Sequence, residues 1–140
     1  EVMRTHVLHT ENILKPVVND NVLKIAIRHH EKLDGSGYPA GISGDRLTKS
    51  QRIVTVADIL SALYQKRSYK DGFALTTIAK IIHDDAVNGK LCPQVVTFAI
   101  KHMNDIMIDF EKKREEILGL YTQIKEQFDV ICAKFSEFET

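Results

Sequence analysis

The sequence predicts an all-α protein that ends in a long amphipathic helix. Three observations lead there. Apolar residues recur at helical spacing over nearly the whole chain, and no segment alternates apolar and polar residues as a half-buried strand would. Toward the C-terminus an apolar residue then returns every seven positions, the period of a helix packed lengthwise on another helix.

The elements follow in order. Val2, Leu8, Ile13, Leu14, Val17 and Val18 sit at roughly helical spacing, and Pro16 bends or ends that helix. Asn19 or Asp20 can cap a second helix through Val22, Leu23, Ile25, Ala26 and Ile27, expected to stop near Glu31 to Leu33. The segment Asp34 to Gly44 holds four glycines and a proline and reads as a loop. Thr48-Lys49-Ser50-Gln51 has the form of a capping box, so a third helix starts there and carries Ile53, Val56, Ala57, Leu60, Leu63 and Tyr64. After a loop closed by Gly72, a fourth helix runs from about Leu75 to Val87, with Asn88-Gly89 as its stop signal. Pro93 suits the first turn of a last helix reaching Phe138, with a break expected near Gly119. Phe110, Ile117, Ile124, Ile131 and Phe138 form its seven-residue series; Tyr121, Phe128 and Phe135 fill the interleaved seam, which Arg114 interrupts. Such a helix either dimerises or lies along its own domain.

At 140 residues, 44% hydrophobic and 27% charged, the chain is long enough for one domain with a hydrophobic core and has the composition of a soluble globular protein. Its formal net charge of +0 gives no global attraction to nucleic acid polymers or anionic membranes. No apolar run is long enough to span a bilayer, and no secretion signal opens the chain. Cys92 and Cys132 match no zinc spacing and are expected as reduced thiols in the cytoplasm. The first residue is Glu1, which suggests processing or a piece of a longer protein.

Imidazoles and carboxylates are the chemically informative population. His29 and His30 are adjacent just before the glycine-rich loop. On a helix they would point about 100° apart, so they would serve two neighbouring metals, or one metal and a supporting partner, rather than chelate one ion. Alone, such a pair is more often ordinary polar surface. Tyr38 precedes Pro39 and is therefore held extended, presenting a phenol beside the histidines. Asp58 lies in an otherwise apolar helical stretch, where a carboxylate is costly unless it is paired, for instance with Arg52, or bound to a metal. Arg67 and Lys70, flanking Ser68-Tyr69, could clamp a phosphate or form a solvated face.

His29 to Pro39 reads HHEKLDGSGYP and resembles the HD-GYP signature HHExxDGxGYP at all eight specified positions. Its loop residues are Glu31, Asp34, Gly35, Gly37, Tyr38 and Pro39. Arg52 to Asp58 resembles the family's helix ending in a metal-binding aspartate, and Arg67-Ser68-Tyr69-Lys70 its substrate-binding segment. The resemblance runs from about His6 to Ile100 and implies a partial HD-superfamily helical bundle over residues 1–103, followed by the coil-like helix of 104–140. It implies a bacterial, metal-dependent phosphodiesterase of cyclic di-GMP signalling, yielding linear pGpG or GMP with two or three iron or manganese ions. By position, His6, His29, His30 and Asp58 would be metal ligands, and Tyr38, Arg67 and Lys70 would hold phosphates and guanine. Such ions generate a nucleophile from water at neutral pH and stabilise charge on the attacked phosphate.

The sequence also departs from the pattern. The His-Asp dyad that names the family would lie upstream of His6, so no catalytic residue is assigned, and His83-Asp84 stands too late in the chain to replace it. Ser61 occupies the place of a second aspartate, Thr10 that of a glycine, and Leu91-Cys92-Pro93 that of Phe-Asp-Pro. Two readings follow. One is the C-terminal portion of a cyclic dinucleotide phosphodiesterase, inactive as this chain alone and with exposed apolar faces near Ile25 and Val56. The other is a degenerate module binding diguanylate cyclase domains, with a homodimer through the C-terminal helix as a further partner.

Overall fold

A computed structural model describes residues 2–65 and 72–138, with side chains from 5 to 65 and 72 to 134. Among the described residues there are six α-helices, one short 3-10 turn and no strand. The helices are α1 (Val2–Leu14), α2 (Asp20–Ile27), α3 (Lys49–Tyr64), α4 (Leu75–Val87), α5 (Pro93–Lys101) and α6 (Met103–Phe138). They divide into two compact units, residues 1–101 and 102–140.

The expected start signals operate. Asn19 caps α2 by accepting from the Val22 amide at 3.0 Å. Thr48 and Gln51 close a capping box on α3: the Thr48 hydroxyl accepts from the Gln51 amide, and the Gln51 side chain accepts from the Thr48 amide at 3.1 Å. Pro93 is the first residue of α5. α4 ends at Val87, where Gly89 takes a φ of 74° that favours glycine.

Three boundaries differ from the sequence reading. α2 stops at Ile27, well short of Glu31 to Leu33, and residues 28–30 form a turn. The long terminal helix breaks at His102 rather than at Gly119, so α5 and α6 are separate elements. Gly119 lies inside α6, where one glycine costs only about 1 kcal/mol relative to alanine and a 36-residue helix absorbs it.

In the first unit, α1 packs on α2, α2 on α3, and α3 on both α4 and α5. Val7, Leu23, Val56, Leu60, Ile78, Ile82, Leu91 and Val96 are buried between them. The loop after α2 belongs to this core as well. It buries Ile42 and Leu47 and ties to the turn after α4, the Leu33 amide donating to the Lys90 carbonyl at 2.9 Å. The expectation for Val56 is corrected here: at 2% exposure it is already covered. Ile25 is half-buried. Among the described residues of this unit the exposed large apolar ones are instead Leu8, Ile13, Val17, Val22, Ile53, Val87 and Phe98.

Candidate metal centre

Three histidines meet where α1, the end of α2 and α3 come together. His6 projects from the middle of α1, beside the buried Val7. His29 and His30 follow the last turn of α2, and their position outside the helix corrects the expected divergence. Freed from helical geometry, both rings turn toward His6. His29 Nε2 lies 3.3 Å from His6 Nε2, and His30 Nε2 lies 3.1 Å from the same atom. The three ligand nitrogens all fall within 4.8 Å of one another.

The outer edges of the rings fix which nitrogen carries the proton. His29 Nδ1 is 2.6 Å from the Ala26 carbonyl, which can only accept, so Nδ1 is protonated and Nε2 keeps its lone pair. His30 Nδ1 faces Asp58 Oδ2 at 3.6 Å, and the carboxylate favours the proton on that side. His6 Nε2 can carry at most one hydrogen, so it cannot donate to both neighbours. The Nε2 lone pairs of His29 and His30 therefore both face His6 Nε2, a grouping of imidazole nitrogens that a divalent transition metal can take.

The electrostatics agree. The His30 pKa is lowered from its ordinary 6.5, first by burial and then by the neighbouring His29; Asp58 opposes the shift and His6 adds to it. The ring thus stays neutral, the form that ligates a metal. Because the unfolded chain takes this proton first, stability is lost as pH falls from 6.5 through the lower folded value. Urea midpoints at pH 7.5 and 5.5 should show a drop that shrinks in a His30→Gln variant; an undiminished drop would assign the effect to another group.

The glycine-rich loop covers the His30 side of the cluster. The Tyr38 amide donates to the His30 carbonyl at 3.2 Å, and the Tyr38 ring stacks on the His30 ring at 4.6 Å between centroids. Gly37 makes this possible: a Cβ there would stand 2.5 Å from Glu31 Cα, the His30 carbonyl oxygen and the Lys32 amide nitrogen. Gly37→Ala is expected to cost about 2 kcal/mol or more in urea denaturation, since backbone rather than a side chain must shift. Gly35 has a φ of 79°, a left-handed conformation that favours glycine. Asp34 accepts from the Ser36 amide and hydroxyl at 2.9 and 2.7 Å, which holds its carboxyl below the usual range. The Tyr38-Pro39 peptide is cis.

Glu31 has a role that the signature alone did not reveal. It is 1% exposed, and its two carboxylate oxygens accept from the Ala40 amide at 2.7 Å and the Ile42 amide at 2.9 Å. One side chain therefore fastens the far limb of the loop beneath the histidines. A buried acid in a loop signature is the signal for such a role, since a charge is retained there only with dedicated partners.

Asp58 is half-buried, and within the cluster it faces His30 rather than Arg52. Arg52 instead donates to the Leu47 and Gly44 carbonyls at 2.8 and 3.0 Å, anchoring the end of the loop. Ser61 donates to the backbone carbonyl of Asp58 at 2.9 Å. His83 and Asp84 are 3.5 Å apart with both side chains exposed. Arg67 and Lys70 lie outside the described residues. Among the described residues no helix is long and apolar enough to cross a membrane.

Comparisons with known proteins bear on this site. The sequence profile of the HD domain family matches residues 1–95. A 3'3'-cGAMP-specific phosphodiesterase of Vibrio cholerae is 36% identical over 81 residues, covering 58% of this chain and 19% of the relative. A cyclic di-GMP phosphodiesterase of Thermotoga maritima is 33% identical over 121 residues, covering 83% of this chain and 32% of the relative. A cyclic di-GMP phosphodiesterase response regulator of Xanthomonas campestris is 49% identical over 51 residues, covering 36% of this chain and 14% of the relative. The chain thus spans between about a seventh and a third of the length of these relatives.

Proposed function

The chain belongs to the HD domain family, as a domain of the HD-GYP type, and from that premise we propose that it forms part of a phosphodiesterase hydrolysing cyclic di-GMP, or a close cyclic dinucleotide, to its linear product. Members of the family bind divalent metal ions. The observation that carries the reading is the convergence of the His6, His29 and His30 Nε2 atoms beside the loop that stacks Tyr38 on His30.

The residues present fit a metal. His6, His29 and His30 supply imidazole nitrogens with lone pairs directed inward, and Asp58 supplies a carboxylate beside His30, a donor set suited to iron or manganese in a centre of two or three ions. Bound ions supply charge stabilisation at the attacked phosphate and a nucleophile from water at neutral pH. The chain's own residues perform the rest. Asp58 and the Ala26 carbonyl hold the imidazoles in the ligating tautomer. Tyr38 flanks the cluster on the His30 side and can hydrogen-bond a phosphate or guanine, with Arg67 and Lys70 as further phosphate contacts. In the enzyme reading a His-Asp dyad would have to be supplied from outside this sequence, which spans 19 to 32% of these relatives. We place this chemistry in the cytoplasm, with thiols such as Cys92 reduced.

A longer protein carrying the segment upstream of Glu1, loaded with manganese, should convert cyclic di-GMP or 3'3'-cGAMP to the linear dinucleotide on chromatography, while the present chain alone should leave both intact. Intact nucleotide with a metal-loaded longer protein would exclude the enzyme. A second reading, a degenerate module binding diguanylate cyclase domains, is favoured by Ser61, whose hydroxyl meets the Asp58 backbone rather than its carboxylate. Retention of a purified cyclase domain by such an inactive protein would support it. The apolar face of α6 further supports self-association of the chain as a homodimer.

A further inference from the structure

α6 carries an apolar stripe with no role in the chemistry above. Ile117, Tyr121, Ile124, Phe128 and Ile131 are 51 to 66% exposed, and Leu118 and Leu120 widen the stripe at 54 and 59%. The spacing alternates four and three residues. A straight helix drifts away from such a repeat, so a seam of this period follows a second helix, not a flat surface.

The character of that second helix can be read from the stripe itself. One set of seam positions holds Arg114, Tyr121 and Phe128; the other holds Ile117, Ile124 and Ile131. In a parallel pair of identical helices each position meets itself. Arg114 would then face Arg114, and bulky Tyr121 and Phe128 layers would alternate with smaller isoleucine layers. In an antiparallel pair each position of one set meets a position of the other. With Ile117 opposite Phe128 of a second copy, Tyr121 meets Ile124, and all four central layers combine one aromatic with one isoleucine. Arg114 then meets Ile131 toward the end of the seam, where its long stem can cover apolar surface while its guanidinium reaches water and keeps its 2.8 Å ion pair with Glu111. The helix is complementary to itself in side-chain size, and free of an Arg114–Arg114 layer, in one direction only.

We propose that a second copy of this chain covers the stripe, with the two α6 helices antiparallel and Ile117 of each opposite Phe128 of the other. This deepens the homodimer reading given above and rests on it. The register makes a distance prediction. Cys132 would lie level with residue 113 of the second copy, so the two Cys132 residues would stand 19 positions apart, about 28 Å along the axis.

Cys132 is exposed and Cys92 buried, so a nitroxide can be placed on Cys132 of the full chain in a Cys92→Ser background. The expected results are a dimeric mass by light scattering and a label separation near 30 Å by pulsed electron paramagnetic resonance. The unlabelled chain is also expected to become monomeric, with its helical circular dichroism retained, on Ile124→Glu. A dimer with labels closer than about 20 Å would overturn the antiparallel arrangement and leave the dimer standing. A monomeric wild-type chain would overturn both, and a dimer that survives Ile124→Glu would remove α6 from the interface.

Discussion

Replacing His6 by alanine is expected to lower the affinity of the chain for a divalent probe such as Co2+ by at least about 100-fold. Changes to groups that merely support a ligand already cost 10 to 100-fold, and His6 is the nitrogen that both other imidazoles face, at 3.3 and 3.1 Å. Its side chain is exposed on α1, so the fold should change little. Optical titration with Co2+ measures the affinity, and urea denaturation in parallel checks the fold. An affinity within threefold of wild type would mean that the cluster does not act as one site.

Replacing Glu31 is expected to give the largest loss of stability from a single side chain in the loop. Alanine leaves the buried Ile42 amide and the part-buried Ala40 amide without their carboxylate and should cost about 3 kcal/mol; glutamine can accept from one amide but turns its own N–H toward the other, and should cost about 2 kcal/mol. Urea midpoints at unchanged slope test both values. The order matters as much as the size. If glutamine were as harmful as alanine, the charge rather than the paired acceptors would be the source. A loss under about 1 kcal/mol for alanine would show that the loop is held elsewhere, for instance by Gly37 packing against residues 30–32.

Local chemistry made much of the fold legible before any coordinates. Asn19, Thr48, Gln51, Pro93 and the Asn88-Gly89 pair act within a few residues of where they stand, so the starts of α2, α3 and α5 and the end of α4 follow from them. The end of α2 did not. Nothing in Ile27-Arg28-His29-His30-Glu31 forbids a helix; the chain leaves it because Glu31 must reach Ala40 and Ile42, and because Gly37 must lie against residues 30–32. These partners are 5 to 11 positions away, beyond the range of a local signal. The break at His102 likewise has no glycine or proline to mark it, whereas Gly119, which looked like a break, is carried by a long helix.

The same contrast holds at the site. The signature singled out His29, His30 and Tyr38, and position ahead of it singled out His6; the structure brings these four together. How they meet was not legible, since that depended on where α2 ends. Treated as helical neighbours, His29 and His30 diverge; as turn residues, they converge on His6 and receive Tyr38 and Asp58 at their other edges. Glu31 was visible as a member of the motif, yet its task emerges only from the two amides it holds.

The central claim is that the converging Nε2 atoms of His6, His29 and His30 form the imidazole side of a metal centre. X-ray absorption at the cobalt edge of the Co2+-loaded chain tests it most directly. The expected result is a bound ion showing imidazole scattering that is lost together with the metal in His6→Ala. An ion retained with only oxygen neighbours, or a spectrum unchanged by His6→Ala, would contradict it.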